Sequence, residues 1–102
     1  PWPTEDTRMK RLSPAEVRTG QAQLPAWNRR GAVLRRTFQF ADFVTAMRFV
    51  NAVARAAEKA RHHPDVDIRW NKVTLALTTH DAGGLTQRDF DLARRCDQLA
   101  AR

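Results

Sequence analysis

Pro64 constrains this chain more than any other residue. Proline bars the residue before it from helical dihedrals, so the helical pattern over residues 42–61 has to stop near Arg61 or His62. Beyond it the period changes. Val66, Ile68 and Trp70 alternate with Asp67 and Arg69, Asn71-Lys72 makes a tight turn, and Val73, Leu75 and Leu77 resume the alternation. That pattern predicts a β-hairpin with one half-buried face, which carries the chain on to Thr79, His80 and Asp81. The three histidines of the protein therefore all fall where elements end: His62 and His63 at the close of a helix, His80 at the close of a strand. Titratable groups gathered at element ends mark a candidate site. Glu58 precedes His62 by one helical turn, so its carboxylate is placed to orient that imidazole and fix its tautomer.

The other elements read from the same signals. Ser13-Pro14-Ala15-Glu16 is a helix start, with serine as cap, proline at the first turn and glutamate three residues on, and the helix ends before Pro25. Asn28-Arg29-Arg30-Gly31 reads as a turn. Val33–Phe40 reads as a strand with Leu34, Phe38 and Phe40 on one face; Arg36 interrupts that face and is expected at a sheet edge or a pocket. Asp42 caps the long helix, whose apolar positions Phe43, Met47, Val50, Ala54 and Ala57 are widened by Phe49 and Val53. A stripe that wide can serve a core on one side and a second subunit on the other. Thr86 and Asp89 open a last helix with a capping box, and Leu92, Cys96 and Leu99 point inward. Helix, strand, helix, hairpin, helix indicates an α+β fold, helices packed on one face of an antiparallel sheet. Residues 13–102 form one domain, behind a loosely ordered tail over residues 1–12.

Composition bounds the function classes. No apolar run spans a bilayer and no signal-peptide pattern is present, so a soluble, cytoplasmic protein with no membrane partner is expected. One cysteine excludes an intrachain disulfide. The formal charge of +7 raises the question of nucleic acid. The basic residues are scattered, as in Arg29-Arg30, Arg35-Arg36 and Arg94-Arg95, with no groove-reading motif, so no specific nucleic-acid binding is expected.

Three chemistries fit the histidines. A metal site is disfavoured, because adjacent His62 and His63 point apart and no His-x-x-x-His or Cys-x-x-Cys pair accompanies them. A capping and turn role suits any one of them alone. Acid–base work on a small molecule suits all three together.

The chain resembles the pterin-4a-carbinolamine dehydratases from Ser13 to Ala100. The resemblance rests on Leu24-Pro25-Ala26-Trp27, Phe38-Gln39-Phe40, Glu58 through Pro64, Trp70-Asn71-Lys72-Val73, and Thr79 through Asp89; Trp70 stands where the family more often has tyrosine. It implies a four-stranded antiparallel sheet with three helices packed on one face, assembled as a homodimer or homotetramer. It further implies dehydration of a 4a-hydroxytetrahydropterin without metal or other cofactor, in recycling of the pterin used by an aromatic amino-acid hydroxylase. His62 and His80 would then be the acids. His63 would be catalytic chiefly by holding the substrate, with Glu58, Pro64, Trp27, Thr79, Asp81 and Arg88 around the pterin. Some relatives are instead binding or assembly proteins, such as a dimerisation cofactor acting as a transcriptional coactivator, and those that have degenerated lose the histidine motif that this chain keeps.

Overall fold

The structure, a computed structural model, describes residues 9–102. In chain order these form helix α1 (Pro14–Ala22), strands β1 (Asn28–Arg30) and β2 (Val33–Gln39), helix α2 (Phe43–Ala60), strands β3 (Asp65–Arg69) and β4 (Lys72–Leu77), a 3-10 turn (His80–Ala82) and helix α3 (Gln87–Ala100). The sheet order is β1-β2-β4-β3 and each neighbouring pair is antiparallel. The fold is α+β, three helices with a four-stranded antiparallel sheet.

Alternation decides which face the helices cover. Leu34 and Phe38 of β2 and Val73, Leu75 and Leu77 of β4 are buried against Ala46, Phe49, Val53 and Ala57 of α2 and Phe90, Leu92, Ala93, Cys96 and Leu99 of α3. An aromatic knot ties β2 to α2, with the Phe38 and Phe49 rings 4.7 Å apart and those of Phe40 and Phe49 4.9 Å apart. The caps form as the sequence predicts. Ser13 and Glu16 make a reciprocal capping box on α1, Asp42 accepts from the Thr45 N–H at the start of α2, and Thr86 with Asp89 closes a second box on α3. The Thr45 hydroxyl and N–H hold the Asp42 carboxyl below its ordinary range.

Several expectations change. Asn28–Arg30 is a strand rather than a turn; the reversal is at Gly31-Ala32, where Gly31 takes a left-handed φ of 59°. This short β1 makes β2 an inner strand, so Arg36 is not at a sheet edge. Its guanidinium instead reaches Asp97 of α3 at 2.6 Å and beside Phe38 lines a hollow with Trp27. The hairpin turn is Trp70-Asn71 rather than Asn71-Lys72, and β3 is exposed along its length instead of half-buried. The core stripe of α2 is Ala46, Phe49, Val53 and Ala57, while Phe43 and Ala54 are exposed and Met47 and Val50 half-buried. The expected loose tail lies mostly outside the described residues. Its last part is tied down, since the Leu12 N–H donates to the Leu85 carbonyl at 2.8 Å and the side chain packs on the core.

Cys96 is fully buried on α3, and burial pushes its thiol up to about 12, with Asp97 adding in the same direction. Thiolate is the reactive form. Cys96 is therefore expected to resist thiol-specific reagents at pH 8 in the folded protein and to react at once in denaturant; rapid stoichiometric labelling without denaturant would contradict the packing described here.

Candidate active site

The end of α2 organises the site. Ala60 is its last helical residue, and Arg61 follows in the left-handed region at φ 54°, ψ 41°. That reversal sends the His62 N–H back to the Ala57 carbonyl at 3.1 Å, a closure that satisfies one of the orphan helical carbonyls. Arg88 of α3 secures the next two. One of its guanidinium nitrogens donates to the Ala60 carbonyl at 2.6 Å and the Arg61 carbonyl at 2.7 Å, placing a cation at the negative end of the helix.

Because Arg61 has left the helix, the one-turn spacing between Glu58 and His62 does not bring them together. His62 turns inward, 9% exposed, and its Nε2 lies 2.5 Å from Asp89 Oδ1. Asp89 is wholly buried, and its second oxygen accepts from the Thr79 hydroxyl at 2.8 Å and the Thr86 N–H at 2.9 Å. The Thr79 and Thr86 hydroxyls are themselves 2.9 Å apart. A carboxylate in an apolar interior is tolerated only when its lone pairs are used in this way. A carboxylate accepts and never donates, so the hydrogen of the His62 contact sits on Nε2, and Nδ1 is the nitrogen left for another molecule.

Glu58 takes the neighbouring histidine. His63 Nε2 lies 2.5 Å from Glu58 Oε2, in an open position where the two side chains are 63% and 77% exposed. Pro64, half-buried, then leads into β3. His80 begins the 3-10 turn after β4. The turn is held by a bridge between Thr79 and Gly84 and by the Gly83 N–H on the His80 carbonyl at 3.0 Å. Gly83 takes a left-handed φ of 71°, which glycine adopts freely. His80 and Asp81 are exposed.

Asp89 is thus the joint of the site. It holds His62 directly, and through Thr79 it holds the residue before His80, so one carboxylate ties the helix end to the strand end. Sequence reasoning saw Asp89 only as a helix cap. The missed signal is positional: Asp89 falls on the same α3 face as Leu92, Ala93 and Cys96, and a lone carboxylate inside an apolar stripe needs buried partners. Trp27 stands apart. Its indole N–H donates to Asp97 Oδ1 at 2.8 Å, and Asp97 is eight residues along α3 from Asp89, about 12 Å of helix. A hollow of about 540 Å³ also lies away from the histidine network, lined by Asn28, Arg29, Arg30, Val33 and Arg35 of the β1–β2 hairpin.

A four-stranded antiparallel sheet with helices on one face, and a histidine–carboxylate pair buried between a helix end and a strand end, define the architecture of this small α+β domain. Residues 10–99 match the protein-family model for pterin 4 alpha carbinolamine dehydratase, and the chain belongs to that family. It is 57% identical over 89 residues to a provisionally named pterin-4-alpha-carbinolamine dehydratase of Roseiflexus sp. (strain RS-1), covering 87% of this chain and 96% of that one. A protein with the same provisional name from Acidobacterium capsulatum is 54% identical over 91 residues, 89% of this chain and 99% of the relative. Among solved structures, a transcriptional coactivator/pterin dehydratase from Brucella melitensis superposes with a TM-score of 0.86 at 33% identity, over 89% of this chain and 99% of that one. A pterin dehydratase-like RuBisCO assembly factor of the alpha-carboxysome shares the fold, with a TM-score of 0.61 at 23% identity over 72% and 86% of the two chains. Among the described residues no helix is long and apolar enough to cross a membrane.

Proposed function

We propose that the site dehydrates a 4a-hydroxytetrahydropterin to the quinonoid dihydropterin and water. The observation that carries this reading is the buried His62–Asp89 pair, which leaves His62 Nδ1 as a fixed proton-transfer atom one residue from a second, exposed imidazole. In the reaction the C4a–O bond breaks as the departing hydroxyl takes a proton from an imidazolium. N5 loses its proton, and its electrons form the C4a=N5 double bond. Atoms and charge balance with one proton delivered and one removed, so neither a redox cofactor nor a metal is required. His62 and His80 act as the acids; one imidazole on each side of the ring serves either stereochemistry at C4a. His63, braced by Glu58, holds the pterin with Pro64 and Asp81 beside it, while Thr79, itself buried, acts from beneath by bonding Asp89. Arg88 contributes by clamping the backbone just before His62. The enzyme would work in the cytoplasm as a homodimer or homotetramer, in tetrahydrobiopterin recycling beside an aromatic amino-acid hydroxylase.

The deciding assay is ultraviolet-monitored dehydration of freshly generated 4a-hydroxytetrahydropterin, in which the protein is expected to accelerate the spontaneous reaction in proportion to its concentration. No acceleration would favour the other reading, a non-enzymatic binding or assembly protein on the same fold. That alternative draws on the exposure of Phe43, Val44, Val66, Ile68 and Trp70, large apolar side chains that a partner could cover.

A further inference from the structure

Two glycines close the turn that carries His80, and only one of them is there for its backbone. Gly83 takes a left-handed φ, whereas the φ of Gly84 lies outside that region and any residue could adopt it. The demand at Gly84 is for space. A Cβ there would stand 2.9 Å from Arg11 Nε and 3.2 Å from its Cγ and Cδ, so the arginine stem lies flat on this buried glycine. Long basic side chains lay their methylenes on the protein and keep the charged head in water, and Arg11 as a whole is exposed. The residue it presses is bridged to Thr79, which precedes His80 and bonds Asp89 through its hydroxyl.

Two residues earlier the same segment reaches the other end of the site. Met9 Sδ accepts from one terminal nitrogen of the Arg88 guanidinium at 2.8 Å, while the other nitrogen holds the Ala60 and Arg61 carbonyls just ahead of His62. Leu12 fastens the segment to the domain, with its N–H on the Leu85 carbonyl and its side chain against the core. Residues 9–12 therefore bear on His62 through Arg88 and on His80 through Gly84 and Thr79. A thioether is a weak acceptor and an exposed stem buries little, so Met9 and Arg11 add little to a core that closes without them. Their leverage is on where the two histidine-bearing ends stand.

We propose that Met9 and Arg11 are positioning residues, and that residues 9–12 form a strap fixing the separation between the helix end that carries His62 and the turn that carries His80. Two acids that serve one ring have to be held at a set distance, and a misplacement of about 1 Å costs on the order of a hundredfold in rate. The strap holds each end by a different residue, so the two ends can be loosened one at a time. Its effect on catalysis rests on the pterin reading above; its mechanical effect does not.

Amide hydrogen exchange tests the mechanical part without any substrate. The Thr86 N–H, bonded to Asp89, is expected to exchange about tenfold faster in Arg11→Ala, and the His62 N–H, bonded to the Ala57 carbonyl, about tenfold faster in Met9→Ala, while the Leu75 N–H of inner strand β4 keeps its rate in both. An equal rise at all three amides, or no rise, would overturn the strap whether or not the protein is an enzyme. Turnover tests the rest. Arg11→Ala and Gly84→Ala break one contact from its two sides, so each is expected to lower kcat about tenfold to a hundredfold with KM changed less, and the two together no further than either alone. Arg11→Met keeps the stem, drops the charge and should retain most of the wild-type kcat. Additive losses in the double variant, or an Arg11→Met protein as slow as Arg11→Ala, would overturn the positioning role and assign the guanidinium to the substrate itself. Faster local exchange in variants of a chain that dehydrates no pterin would keep the strap and remove the pterin reading.

Discussion

Replacing His62 and His80 together by alanine is expected to abolish measurable acceleration of the dehydration, since each lost general acid typically costs about a hundredfold to ten-thousandfold in rate. The two residues will not behave alike in other respects. His80 is exposed on its turn, so His80→Ala should fold with wild-type stability and lose turnover alone. His62 is buried against Asp89, and His62→Ala leaves that carboxylate without its partner, a change that costs about 3–5 kcal/mol in buried pairs. His62→Gln keeps a side-chain N–H to offer Asp89 and is the better probe of chemistry, because it removes the proton-transfer atom while sparing the fold. His63→Ala should instead raise KM with kcat nearly kept, as expected for a residue that binds without transferring the proton. A double variant that shows native circular dichroism and still dehydrates at the wild-type rate would remove both histidines from the mechanism.

The parts of this molecule that were legible in its sequence are those where a local rule governs. Pro64, the serine and aspartate caps and the alternation after Pro64 fix α1, α2 and the hairpin to within a residue or two, because dihedral sterics and capping act over short range. The register of α2 was harder: two stripes of apolar residues run along it, and only tertiary packing selects Ala46, Phe49, Val53 and Ala57 over Phe43 and Ala54. The strand Asn28–Arg30 has no apolar alternation at all; it exists because β2 offers it an edge. In the site, local spacing linked Glu58 to His62, and a single left-handed residue, Arg61, reassigned the glutamate to His63. His62's actual partner lies 27 residues away on another helix, a distance at which one sequence carries no pairing signal beyond the presence of a carboxylate among apolar neighbours.

That carboxylate carries the second large effect. Asp89 accepts from His62, Thr79 and the Thr86 N–H, so Asp89→Ala strands three buried donors and the cap of α3 at once. A loss of about 3–5 kcal/mol is expected, enough to threaten folding of so small a domain. Asp89→Asn is the informative change. Its carbonyl oxygen can still accept from Thr79 and Thr86, which keeps the helix start. Its amide then faces His62 Nε2 as a donor, where the native carboxylate was an acceptor. To meet it, the imidazole must present Nε2 as an acceptor and move its hydrogen to Nδ1, the nitrogen that the Asp89 contact leaves free. The variant is therefore expected to remain folded and to bind pterin near the wild-type level. Its kcat should fall roughly a hundredfold or more, with a shifted pH–rate profile, because the wrong tautomer is held in place. A purely structural role would lower the melting temperature and leave the profile of the folded fraction unmoved. Unchanged kcat and unchanged pH dependence in a folded Asp89→Asn protein would show that Asp89 holds the helix end and nothing more.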